Sequence, residues 1–161
     1  MSSSFTQYEL KPYYAPILGI AGASLAMALS TVGSAYGTCK SMSGISLLGR
    51  RKPALIMRSI VPVVMAGILA INGLAVSVII IGKLKPSYEY SFFDGVKAFS
   101  AGLTVGLCNW CSGYAIGELG NDGSRAMAYK PVVFTAFVAM QGFAMVIGLY
   151  GLIVAVIFAT Q

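Results

Sequence analysis

Histidine is absent from the 161 residues, and only five residues are acidic. Without histidine there is no Ser-His-Asp or Cys-His machinery, no imidazole base and none of the usual zinc sites. Charged residues make up 10% of the chain, against about 25% in an ordinary soluble domain. So few charges cannot cover a water-exposed surface, which excludes a soluble globule. Disorder is excluded as well, because 57% of the residues are hydrophobic and the mean hydropathy is +0.80. A net charge of +6 would suggest nucleic acid for a soluble protein. In a chain this apolar it reports orientation in a membrane, and no nucleic-acid partner is expected. No phosphate loop, nucleophile–base pair or metal cluster is visible, so the isolated chain is not expected to be an enzyme or to hold a cofactor or metal.

What is present is apolar length. A spanning helix takes about 20 mostly apolar residues. Four stretches without a formal charge reach that length: Pro12 to Cys39, Ser59 to Gly82, Ala98 to Gly117 and Pro131 to Gln161. They predict an all-α membrane protein of four transmembrane helices. The first stretch is too long for the apolar part of a signal peptide, and only Glu9 and Lys11 precede it as charges. Pro131 suits the first turn of the fourth helix, Asn121-Asp122-Gly123 reads as a turn before it, and Pro62 is expected to kink the second helix. The first and third connections hold seven basic residues: Lys40, Arg50, Arg51, Lys52, Arg58, Arg125 and Lys130. The other side holds four: Lys11, Lys83, Lys85 and Lys97. The positive-inside rule then puts the first and third connections in the cytosol and both termini in the lumen.

The halves resemble each other. GLAVSVI (73–79) matches GLIVAVI (151–157), and GSAYG (33–37) matches GYAIG (113–117). The pattern is a duplicated helical hairpin within one domain, hairpin one spanning about 12–82 and hairpin two about 98–161. An even number of spans in each makes the repeats parallel. Small residues recur on one face of the first helix at Gly19, Ala23, Ala26, Ser30, Gly33 and Gly37. They recur on the third at Gly102, Gly106, Asn109, Gly113 and Gly117. Such stripes let helix backbones approach closely in lipid. Packing within one chain is one reading. Stripes of this length are more than one contact requires, and they suit an inner wall where helices of many copies crowd together.

Other features point to less. Cys108-Asn-Trp-Cys111 is a CxxC that could be a redox or metal pair. It lies mid-helix with no second pair or histidine, so buried, apolar cysteines are the better reading, as for Cys39. Glu118 and Asp122 read as a solvated cytosolic turn. Arg50-Arg51-Lys52 could meet anionic lipid or an acidic partner, or merely set orientation. Intramembrane ionisable residues usually mark an ion path, and none of the acids falls inside a predicted helix. The polar mid-membrane candidates are Asn72, Asn109 and Gln141, which can hydrogen-bond across helices but cannot cycle a proton.

Four strings, VGSAYGTCKS (32–41), IVPVVMAGILAINGL (60–74), SGYAIGELGNDG (112–123) and VIGLYGLIVAVI (146–157), carry a resemblance over nearly the whole chain. It is similar to the proteolipid (c-type, c/c′) subunits of V-type proton ATPases. The resemblance implies a ring of double-hairpin subunits in the Vo sector of a rotary motor in vacuolar or other acidic membranes. Helices 1 and 3 would line the inside, and helices 2 and 4 would face lipid and the stator. It implies sibling proteolipids, a stator a-type subunit and a d-type subunit linking to the central stalk as partners. It also implies a carboxylate mid-way along an outer helix that is neutralised to cross lipid and discharged at the stator. The matching position in helix 4, two residues before the IGLYGL run (147–152) that contains Tyr150, is Met145. The matching position in the first hairpin is Gly67, so neither hairpin carries the acid. Where the family often has a tyrosine that holds the carboxylate, this chain has Asn72. Ile68 and Leu69 stand where sodium-carrying relatives place polar ligands. Gln141, one turn before Met145, could at most hydrogen-bond a neighbour's carboxylate. The expectation is a rotor subunit that carries no proton itself. The alternative is a structural or pore-forming membrane protein derived from the same fold.

Overall fold

A computed structural model describes residues 14–84 and 91–160. Glu9, Lys11, Lys85 and Glu89, and the ends of the first and last apolar stretches at Pro12 and Gln161, lie outside the described residues. Among the described residues the chain is all helix: α1 (Ala15–Arg51), α2 (Val61–Gly82), α3 (Phe92–Tyr129) and α4 (Phe134–Thr160), with short 3-10 turns at Pro53–Leu55, Met57–Ile60 and Pro131–Val133. α1, Met57–Gly82 and Pro131–Thr160 are each long and apolar enough to cross a membrane. α3 is as long as α1 but does not join them, because glycine, serine and Asn109 dilute its apolar side chains.

α1 and α3 are longer than the apolar stretches alone predict. At 1.5 Å per residue, their 37 and 38 residues make rods of about 55 Å, nearly twice the roughly 30 Å of a bilayer's hydrocarbon core. The Asn121-Asp122-Gly123 turn is therefore corrected: all three residues lie inside α3. Asn121 is buried against Gly44 of α1, and a side chain on Gly123 would strike the Phe137 ring. The glycine there serves packing, not a turn. Pro62 is corrected too. It occupies the first turn of α2, where a missing N–H costs nothing, and no kink is needed. Ser91 starts α3 by accepting a hydrogen bond from the Asp94 N–H at 3.2 Å.

The two small-residue stripes face each other within this one chain. An added Cβ at Gly33, Gly37 or Gly44 would lie 2.7, 2.8 or 2.6 Å from the carbonyl oxygens of Asn109, Gly113 and Asn121. The partners stay 76 or 77 residues apart, so α1 and α3 run parallel in fixed register. Both helices being so long, a single intrachain seam uses the whole stripe. Gly19, Gly33, Gly37, Gly102, Gly106, Gly113 and Gly117 all belong to its buried faces or edges.

α2 lies in the groove between α1 and α3, while α4 packs on α3 and reaches α2. The hairpin contacts repeat with one offset. Gly73 of α2 meets Ala26 and Ser30 of α1, and Gly151 of α4 meets Thr104 and Cys108 of α3, each residue 78 later. In that register Gly33 and Gly113 are not equivalents, as string matching suggested. They are partners across the seam.

Candidate functional site

A polar node joins the four helices near their middles. Asn109 of α3 is fully buried, and its Nδ2 donates to Ser30 Oγ of α1 at 2.9 Å and to the Leu69 carbonyl of α2 at 3.2 Å. Its Oδ1 lies against Gly148 of α4, where an added Cβ would be 2.8 Å away. Glycine is required there because a side chain would displace the amide. Two further bonds tie α4 to α3: Ser112 Oγ donates to the Ala144 carbonyl at 2.7 Å, and Gln141 Nε2 donates to the Ile116 carbonyl at 3.3 Å.

Met145 is half-buried beside this node. It packs on an apolar cluster of Ala66 and Leu69 from α2, Ile116 from α3 and Ala144. The 78-residue offset pairs it with Gly67, whose added Cβ would meet nothing within 4 Å. Phe143, Ile147 and Tyr150 are exposed on the outer side of α4, Tyr150 by 63%. A thioether fills irregular apolar space but takes up no proton at ordinary pH.

Gln141 is 0% exposed and turned inward onto α3, so within this chain its amide is closed off from any neighbour. Asn72 is also buried. Among the described residues, three buried side-chain polar atoms lack a hydrogen-bond partner: Asn72 Nδ2, Asn109 Oδ1 and Gln141 Oε1. An unpaired buried acceptor costs about 1–3 kcal/mol, against a net gain of about 1 for an ordinary bond made. Replacing Gln141 with Met is thus expected to leave the stability of the assembled protein unchanged or raised by up to about 2 kcal/mol. A thermal melt in detergent checks this, and a large drop would mean the Ile116 bond outweighs the orphaned oxygen.

The remaining charges lie elsewhere. α2 and α4 contain no Asp, Glu, Lys or Arg. Glu118 and Asp122 lie inside α3, correcting the expectation of a solvated turn. Glu118 pairs with Lys40 of α1 at 3.4 Å and accepts a hydrogen bond from Tyr36 at 3.2 Å, with Tyr36 stacked on Tyr114. This cluster straddles the α1–α3 seam. Its signal in the sequence is the matching level of Lys40 and Glu118, 78 residues apart, hidden while both are read as loop. Ser112 also escapes a reading by residue type; it stands 78 residues after Ser34, and buried serines on both α1 and α3 are the trace it leaves. Cys39 and Cys111 are exposed and Cys108 half-buried, and all three are free thiols, so burial within the chain is corrected for them.

Comparison with known proteins agrees with the repeat. The family model for the C subunit of ATP synthase matches residues 21–80 and again 99–158, the same 78-residue offset. The chain is 47% identical to the c' proteolipid of the Saccharomyces cerevisiae V-type proton ATPase over 161 residues, covering 100% of this chain and 98% of that one. It is 50% identical to the c' proteolipid of the Candida glabrata V-type proton ATPase over 93% of this chain and 92% of the relative. It is 46% identical to the 16 kDa c proteolipid of the Nephrops norvegicus V-type proton ATPase over 95% and 96%.

Proposed function

The chain belongs to the proteolipid family of V-type proton ATPases, as a rotor-ring subunit of the Vo sector, and from that premise we propose that this copy turns with the ring but carries no proton of its own. One observation carries the reading: both outer helices lack any acid, with Met145 in α4 and Gly67 in α2 at the two positions where the family resemblance calls for a carboxylate. The proton-carrying sites then belong to sibling proteolipids, and this copy lowers the number of protons moved per turn. An apolar Met145 crosses lipid freely, whereas a charge at mid-bilayer costs at least about 2.5–3.5 kcal/mol. The stator's basic residue meets no counter-charge when this proteolipid passes, which restricts it to one or a few copies per ring. The ring belongs to a vacuolar or other acidic membrane, with the first and third connections cytosolic and both termini lumenal. Its partners are sibling proteolipids, an a-type stator subunit and a d-type subunit linking to the central stalk.

Replacing Met145 with Glu tests this. The proton-to-ATP ratio of the purified pump is expected to rise by one proton per turn for each copy of this chain. An unchanged ratio would sink the proposal. Intact-mass spectrometry of the native complex supplies the companion result, a sibling proteolipid in the same ring as this chain. Recovery of the chain apart from any other pump component would favour a structural or pore-forming role.

A further inference from the structure

At the ends of α1 and α3 a cleft of about 200 Å³ opens between Leu47, Leu48 and Arg51 on one helix and Arg125, Ala128 and Tyr129 on the other. The Arg51 guanidinium lies over the Tyr129 ring, 5.2 Å from its centre, which orients the plane of the fork. Leu48 is fully buried and gives the cleft an apolar floor. Among the described residues the one ion pair joins Lys40 to Glu118, so neither arginine is matched by a carboxylate. Asp122, one turn before Arg125, accepts from the Asn121 side chain at 3.3 Å instead. Arg50, Lys52 and Lys130 are exposed nearby in the chain and add charge of the same sign.

A planar guanidinium matches a phosphate bidentately, and two of them converging without a carboxylate form an oxyanion site. Size narrows the class of ligand. Clefts for drug-sized molecules run about 300–1,000 Å³, so this one admits a phosphate group and its immediate substituent, not a nucleotide. Helical side chains lean toward their own N-terminus, so at the far ends of α1 and α3 both arginines lean back toward the bilayer. We propose that Arg51 and Arg125 bind a phosphate-bearing anion at the mouth of the α1–α3 seam, either a phospholipid headgroup or a soluble phosphate of the same chemistry. This site is separate from the proton-site reading and stands or falls apart from it.

The test uses the assembled ring containing this chain, in nanodiscs of phosphatidylcholine. Phosphatidylinositol bisphosphate is added to the lipid in one arm and inorganic pyrophosphate to the buffer in the other, and native mass spectrometry reads the adducts. One adduct per copy of this chain is expected in at least one arm, and the arm identifies the source. The R51A/R125A double variant should lower its occupancy about tenfold or more. R51K/R125K, which keeps the charge but loses the fork, should also bind more weakly than the native ring. The ring's own mass reports that each variant assembles. No adduct in either arm, adducts that persist in R51A/R125A, or an equal loss from R58A outside the cleft would overturn the proposal.

Discussion

Alanine at Gly113 is expected to cost most of the assembled ring, while alanine at Gly67 or Gly142 leaves it intact or makes it firmer. A Cβ at Gly113 would run into the carbonyl and Cα of Gly33. These are backbone atoms of a continuous helix, which cannot rotate aside as a side chain does, so the α1–α3 seam must open. Overpacking of this kind costs about 1–3 kcal/mol, occasionally more. Gly102 meets the Gly22 carbonyl in the same way about 16 Å further along the seam. Both substitutions open the same seam, so opening it at one relieves part of the other, and the G102A/G113A double variant is expected to lose more than either single variant but less than their sum of about 2–6 kcal/mol, out of a margin of about 5–15 for a typical domain. At Gly67 and Gly142 an added Cβ meets nothing within 4 Å, and helix propensity alone favours alanine over glycine by about 1 kcal/mol. The measurement is the fraction of each variant recovered in the ring after heating in detergent. A G113A ring as heat-resistant as the native one would refute the backbone-to-backbone seam.

That contrast also separates what is legible in the sequence from what is not. The four apolar stretches, the duplicated hairpin and the two glycine stripes can be read from residue type and spacing, because lipid leaves the chain few alternatives to long helices packed on small residues. The partner of each stripe cannot be read. Gly33 and Gly113 match as strings, and only the close approach of their backbones shows that they oppose one another. The helix ends mislead where local signals meet tertiary packing. Lys40 and Glu118 end the apolar runs, yet both lie inside long helices and pair with each other across the seam. Asn121 and Gly123 are turn residues by propensity, but Gly44 and Phe137 press on them, and the helix passes through. At the candidate site Met145, Gln141, Asn72 and Gly67 all stand out by position. What the sequence leaves hidden is that Gln141 points inward and that Asn109 and Ser112 make the bonds which hold α4 in place.

A pump assembled with this chain as its only proteolipid is expected to move no protons on ATP. On the proposed reading, transport through lipid requires an outer-helix group that is neutral in the bilayer and charged at the stator, and α2 and α4 carry no Asp, Glu, Lys or Arg. The Met145 thioether has no titration in the working range. Asn72 and Gln141 are neutral amides at every physiological pH. Glu118 is the nearest carboxylate in kind, but it is held by Lys40 and Tyr36 on the α1–α3 seam, away from the helices that would face a stator. Vesicles carrying the single-proteolipid pump should therefore acidify no faster than their passive leak, well below a pump with carboxylate-bearing siblings. Met145→Glu in the same ring should restore acidification, because the cluster of Ala66, Leu69 and Ile116 around that position also shields a neutral carboxyl group. ATP-driven, uncoupler-sensitive acidification by the unmodified single-proteolipid ring would place a proton carrier somewhere in this chain. Gln141→Leu and Glu118→Gln would then show which side chain it depends on.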